Sequence, residues 1–129
     1  MNTDQSAEAK PTPWTHRHLL GLEELTAGEI LTILDVAEDH VALSTRQEKK
    51  RNTLQDKVGV TLFFEPSTRT RASFHFAARR LGAEVSDFAA AVSSLNKGET
   101  FIDTARNIEA MGIDAVVVRH SVQIGRAHV

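Results

Sequence analysis

Two short, continuously apolar segments restrict the fold of this chain more than any other feature. KVGVTLFFE (57–65) and DAVVV (114–118) are rich in β-branched and aromatic residues over lengths typical of strands, and Pro66 supplies a turn after the first. Strands that are apolar on both faces are buried on both, as in parallel sheets whose crossover helices cover the two sides. We therefore predict an α/β fold with a three-layer parallel sheet.

The remaining segments predict helices that alternate with the strands. Thr26 and Glu29 fit a capping box at the start of a first helix. Gly82 and Gly112 each stand where a later helix is expected to stop. The predicted elements after the first strand are a helix over 67–81, a weaker strand over 84–90, a polar loop over 91–99, a helix over 100–111 and the last strand. With right-handed crossovers and the first strand in the centre, we predict the strand order 2-1-3.

Composition and charge exclude several classes of function. A net charge of -2 gives no long-range attraction to nucleic acid or to an anionic membrane, so any anion site must be local. The absence of cysteine excludes a disulfide framework, thiolate chemistry and a cysteine zinc site. The histidines show no metal-ligand spacing, and we expect His75 to lie on the surface of a helix. We predict a cytoplasmic protein with no metal, no cofactor, and no nucleic-acid or membrane partner.

The candidate chemistry lies at the carboxyl ends of the strands. In open α/β sheets ligands bind there, where the strand order reverses. Ser67-Thr68-Arg69-Thr70-Arg71 follows the first strand, and Arg119-His120 follows the third. A helix N-terminus, three hydroxyls and an arginine fork together suit a dianion. A helix capped by Ser or Thr, with exposed arginines, explains the first segment equally well. Arg119 in the same crevice favours the anion site.

Three segments carry a family resemblance. FFEPSTRTRASF, SSLNKGETFIDTARNIEAMG and DAVVVRH, in this order and spacing, resemble the catalytic chain of aspartate carbamoyltransferases, and the resemblance runs over about residues 19–122. The STRTR segment is shared with ornithine carbamoyltransferases and indicates only the superfamily. Lys97 and the pair Arg119-His120 favour the aspartate enzyme.

The resemblance implies a role for each matching position. Arg71 matches no ligand-binding group and is expected to form a structural ion pair, and His120 follows the family pattern without a catalytic role. The positions implied to bind carbamoyl phosphate are Ser67, Thr68, Arg69, Thr70 and Arg119, of which Arg69, Thr70 and Arg119 are implied to be catalytic. Ser93 and Lys97 match a loop that enters the site of the adjacent subunit. The implied assembly is a homotrimer of the full-length chain, with or without regulatory subunits.

The implied reaction is transfer of the carbamoyl group from carbamoyl phosphate to the α-amine of aspartate, which gives N-carbamoyl-aspartate and phosphate in pyrimidine biosynthesis. Negative charge builds on the carbamoyl oxygen and then on the leaving phosphate, where prearranged donors contribute most. Two alternatives stay open. An ornithine carbamoyltransferase would share the phosphate site, and a non-catalytic phosphate-binding module would need no second substrate.

The length of 129 residues argues for one domain. We expect a disordered polar tail over 1–13 and an incomplete carbamoyl-phosphate-binding domain over 14–122. Residues 123–129 depart from the expected family pattern, and codons that would encode them resemble a common sequencing adapter read through in frame. We therefore expect an artificial end there, with a natural divergent tail as the alternative. We expect this chain to lack the family's aspartate-binding domain and to be inactive by itself.

Overall fold

A computed structural model describes residues 8–89 and 100–120, apart from the side chain of Phe101. The chain divides into two compact units, 1–48 and 49–129. The predicted division into a tail, a domain over 14–122 and an artificial end stays a prediction. Across the two described stretches, no helix is both long enough and apolar enough to cross a membrane.

The first unit contains two helices, α1 (Ala27–Asp39) and α2 (Val41–Ser44). The predicted capping box is confirmed, because Glu29 N donates to Thr26 Oγ1 at 3.1 Å and Thr26 N donates to Glu29 Oε1 at 2.8 Å. Thr12 N donates to Gly28 O at 3.2 Å, which places Thr12 against α1. The tail predicted over 1–13 is therefore held at Thr12, while residues 1–7 lie outside the described ones.

The second unit has a three-stranded parallel sheet with the order β2-β1-β3, as the sequence predicted. Its elements are β1 (Val58–Phe63), α3 (Thr68–Arg80), β2 (Glu84–Asp87), α4 (Phe101–Ala110) and β3 (Ala115–Arg119). The end of the second predicted strand at Ala90, the polar loop over 91–99, and residues 121–129 lie outside the described part of the chain.

The two faces of β1 are covered by different helices. Val60 and Leu62 are buried with Ile108 of α4 in the hydrophobic core. Thr61 points to the opposite face, where its hydroxyl lies 3.0 Å from His75 Nε2 of α3. Side chains of a strand alternate between faces, so these contacts place α3 and α4 on opposite sides of the sheet. The predicted three-layer arrangement is confirmed.

The third strand is less buried than its composition predicted. Val116 is 41% exposed and Val118 is 39% exposed. They pair in register with Val60 and Leu62 and so lie on the same face as the core. β3 pairs only with β1 among the described strands, and α4 buries the central strand more than this edge. The run of three valines was correctly assigned to a strand, but the prediction that it is buried was wrong.

Candidate functional site

The register of the sheet decides which way Arg119 points. Phe63 of β1 pairs with Arg119 of β3, two residues after Thr61 pairs with Val117. Residues two apart on a strand share a face, so the Arg119 side chain lies on the side of the sheet that α3 covers. Arg119 Nη1 donates to Thr70 Oγ1 at 3.2 Å. The structure therefore joins the polar segment that follows β1 to the arginine that ends β3.

The first turn of α3 differs from the first turns of α1 and α4. Thr26 and Thr100 each cap their helix by accepting from the amide three residues on. Ser67 is the N-cap of α3 and makes no such side-chain bond. Amides in the first turn of a helix have no partner within the helix, and here the capping side chain does not supply one. This weakens the explanation that Ser67 serves only to cap the helix. The amides of the first turn remain available to bind an anion.

The charges around this helix end are arranged around Arg119. Its Nε donates to Glu65 Oε1 at 3.0 Å, and both side chains are partly exposed. Arg69 is exposed on the first turn of α3. The guanidinium of Arg119 is thus fixed by two contacts, one to Glu65 and one to Thr70, and Arg69 adds a second positive charge. Guanidinium groups held in this way suit the oxygens of a phosphate group.

Glu65 was not singled out from the sequence, where it was taken only as the end of the first strand. The sequence does contain a sign of its role. Glu65 stands directly before the Pro66 turn at the end of one strand, and Arg119 stands at the same end of a neighbouring strand. Its partner could not be chosen without the register that sets Arg119 beside it.

A polar cluster lies between α3 and the sheet. Arg71 Nη1 is 3.7 Å from Asp87 Oδ2, which confirms the predicted structural ion pair. His75 is half-buried and its Nε2 lies 3.0 Å from Thr61 Oγ1, so its assignment as a surface residue was wrong. His75 is directed inward because the Thr61 hydroxyl faces it from β1. This contact joins residues far apart in the chain, so the residues around His75 gave no sign of it.

The other predicted site residues stand as follows. Ser67, Thr68, Arg69 and Thr70 occupy the start of α3 beside Arg119. The His120 ring packs against Phe64 with centroids 4.8 Å apart. Ser93 and Lys97 lie outside the described residues. Within residues 8–89 and 100–120, no group of three or more His, Asp or Glu is placed to hold a metal ion.

Known proteins resemble this chain in sequence and in fold. The family model for the carbamoyl-P binding domain of aspartate/ornithine carbamoyltransferases matches residues 17–129. The chain belongs to the aspartate/ornithine carbamoyltransferase family. The expectation drawn from the STRTR and DAVVVRH segments is thereby confirmed at the level of the family.

Several relatives of this carbamoyltransferase chain are named more specifically, as aspartate carbamoyltransferases. The aspartate carbamoyltransferase catalytic subunit of Methylorubrum populi is 52% identical over 118 residues, which are 92% of this chain and 36% of that protein. The aspartate transcarbamoylase catalytic subunit of M. jannaschii is 40% identical with a TM-score of 0.72, over 83% of this chain and 35% of its own. A Trypanosoma cruzi aspartate transcarbamoylase in complex with aspartate and phosphate is 34% identical with a TM-score of 0.71, over 84% and 35%. The chain thus spans about a third of these relatives' length.

Proposed function

We propose that the full-length protein carrying this chain is an aspartate carbamoyltransferase. It transfers the carbamoyl group of carbamoyl phosphate to the α-amine of aspartate and releases N-carbamoyl-aspartate and phosphate, a step of pyrimidine biosynthesis. The observation that carries the proposal is the contact of Arg119 with Thr70 at the start of α3. The relatives named as aspartate carbamoyltransferase catalytic subunits support aspartate as the acceptor.

The phosphate group of the substrate is assigned to the start of α3. The helix amides and the positive end of the helix dipole favour negative charge there. The Arg69 guanidinium is a planar fork that can bind two phosphate oxygens at once. The residues proposed to bind carbamoyl phosphate are Ser67, Thr68, Arg69, Thr70 and Arg119.

The carbamoyl oxygen is assigned to Thr70 and Arg119. A hydroxyl has one hydrogen and two lone pairs, and the Thr70 oxygen already accepts from Arg119. Its own hydrogen is then free to point to the substrate, and the positive charge behind it strengthens it as a donor. When the amine nitrogen bonds to the carbamoyl carbon, negative charge on the carbamoyl oxygen meets these donors. The carbon–oxygen bond to phosphate then breaks, phosphate leaves with the electron pair, and the proton that the amine nitrogen loses goes to the leaving phosphate.

Two further parts of the proposal concern the assembly. Ser93 and Lys97 are assigned to the site of the adjacent subunit, in a homotrimer of the full-length chain with or without regulatory subunits. Loops that close over a ligand exclude water from it, and a polar loop is suited to this use. The protein is assigned to the cytoplasm and needs no cofactor or metal in this mechanism.

Assays of the full-length protein with carbamoyl phosphate and either aspartate or ornithine test the proposal. N-carbamoyl-aspartate should form with aspartate, and ornithine should not be turned over. Turnover of ornithine in place of aspartate would make the protein an ornithine carbamoyltransferase. Phosphate binding without turnover of either amine would show a non-catalytic binding module.

A further inference from the structure

Four side chains on three elements form a polar network beneath the start of α3. Thr61 Oγ1 donates to Asp87 Oδ1 at 3.0 Å and lies 3.0 Å from His75 Nε2. Arg71 Nη1 lies 3.7 Å from the other oxygen of Asp87. Thr61 is only 1% exposed. Its hydroxyl is therefore bonded away from solvent, where losing a partner is most costly.

The direction of each bond in the network follows from the number of hydrogens. Thr61 has one hydroxyl hydrogen, and this goes to the Asp87 carboxylate. His75 Nε2 must then be the donor in its contact with Thr61, so Nε2 carries a hydrogen. Asp87 accepts from Thr61 with one oxygen and faces the Arg71 guanidinium with the other. β1, β2 and α3 are thereby tied together by directional contacts.

The network acts on the helix that carries the phosphate-binding residues. Arg71 and His75 are four residues apart, so they lie on one face of α3, and that face meets the sheet. Arg71 directly follows Thr70, which accepts from Arg119. Arg119 is positioned by the pairing of β3 with β1. β1 therefore positions both the first turn of α3 and the Arg119 side chain.

We propose that Thr61, Asp87, His75 and Arg71 are positioning residues. They hold the first turn of α3 at the distance from Arg119 that a bound phosphate group requires. The inference rests on the proposed function, because it assigns the phosphate to this turn. None of the four residues needs to touch the substrate. A small displacement of α3 is enough to weaken binding, since misplacement of about 1 Å is costly even when its origin is remote.

Two substitutions at one position separate positioning from packing. Thr61→Val in the full-length protein keeps the shape of the side chain and removes the hydroxyl, whereas Thr61→Ser keeps the hydroxyl and removes a methyl group. The matched control is Thr104→Val in α4. Thr104 is 3% exposed and its hydroxyl has no hydrogen-bond partner among the described residues. All variants are titrated with inorganic phosphate by calorimetry and assayed with both substrates.

Thr61→Val should raise the Kd of phosphate and the KM of carbamoyl phosphate about tenfold. The kcat should fall as well, because the displaced turn carries Arg69 and Thr70, which are assigned to the charge that builds in the transition state. Thr61→Ser and Thr104→Val should keep the unsubstituted values. A folded Thr61→Val protein with normal phosphate binding would overturn the proposal. So would a Thr61→Ser protein as impaired as Thr61→Val, because packing would then be the cause.

If Thr61→Val does not fold, Asp87→Asn serves as the second variant. The amide oxygen can still accept from Thr61, but the charge opposite Arg71 is lost, and the Kd of phosphate should rise at least about threefold. An unchanged Kd would overturn the proposal. An unsubstituted protein that binds phosphate but transfers no carbamoyl group would contradict the proposed function alone, since the phosphate titration still decides the role of the network.

Discussion

Arg119 Nη1 donates to Thr70 Oγ1 at 3.2 Å, so a residue at the end of β3 is bonded to the third residue of α3, although 49 positions separate them in the chain. The same guanidinium donates through Nε to Glu65 at 3.0 Å. One side chain thus links the ends of β1 and β3 to the helix between the first two strands. This bond uses a lone pair of the Thr70 hydroxyl and leaves its hydrogen to another acceptor.

Replacing Arg119 by lysine should impair the full-length enzyme even though the charge is kept. An ammonium group cannot hold the fixed two-pronged geometry of a guanidinium, so it should lose either Glu65 or Thr70. We expect kcat to fall at least about tenfold, corresponding to about 1.4 kcal/mol of barrier. Arg106→Lys on the exposed side of α4 is the matched control. Equal turnover in both lysine variants would show that charge alone is required.

Arg69→Ala in the full-length protein should reduce turnover about a hundred- to thousand-fold, which is about 2.7–4 kcal/mol of barrier. The reason is that a desolvated dianion loses a donor able to bind two of its oxygens. Steady-state kinetics at saturating substrate measure the effect. Lys50→Ala, at an exposed position, should change little. Near-normal turnover of the Arg69→Ala protein would remove this residue from the site.

Mixing two inactive variants tests the shared site. Full-length Arg69→Ala and Lys97→Ala proteins should each be impaired, and mixed trimers should contain some sites free of both substitutions. Activity should therefore recover after dissociation and reassembly. Mass spectrometry of the mixture shows whether mixed trimers have formed. If they form and activity does not return, Lys97 does not serve a neighbouring subunit.

Two glycines at helix ends should differ in their tolerance of a side chain. Gly82 has φ +90° and a Cβ there would lie 3.2 Å from Arg51 O, while Gly112 has φ +76° with no described atom within 4 Å of its Cβ position. The left-handed backbone alone costs about 1–2 kcal/mol for alanine. Gly82→Ala should therefore lower the free energy of unfolding by more than Gly112→Ala. Chemical denaturation of the full-length protein measures the free energy of unfolding of both variants. Equal losses would show that the Arg51 carbonyl moves away from the added Cβ.

The capping box of α1 should make that helix sensitive to acid. The Thr26 backbone amide lowers the pKa of the Glu29 carboxyl from its ordinary value of 4.5, burial opposes this shift, and His16 lowers the pKa further. A carboxyl with a lowered pKa stabilises the folded state fully above its unfolded value and loses that contribution as the pH falls through the folded value. The contribution should therefore disappear below pH 4.5.

Hydrogen exchange measured by mass spectrometry should show this loss as reduced protection at the start of α1 below that pH. Glu29→Gln should weaken the pH dependence, because the amide oxygen can still accept from Thr26 but does not titrate. Glu38→Gln, at an exposed position on the same helix, is the control. A Glu29→Gln protein with the original acid profile would show that another group is responsible.

The order and type of the elements, and the end of the sheet that carries the candidate site, could be predicted from the amino-acid sequence alone. Caps such as Thr26 with Glu29, helix stops at Gly82 and Gly112, and continuous apolar runs are signals within a few residues, so they are readable without the fold. The parallel order followed from strands alternating with helices. Ser67–Thr70 and Arg119 were assigned to one crevice because carboxyl ends of parallel strands share an edge.

Which side chains meet could be learned only from the folded chain. Arg119 faces Thr70 and Glu65, His75 turns inward to Thr61, and Val116 and Val118 stay exposed despite an apolar sequence. Each of these outcomes depends on strand register and on which helix covers which face. A shift of one residue in register would send every side chain of a strand to the opposite face, and no local pattern in the chain contains that information.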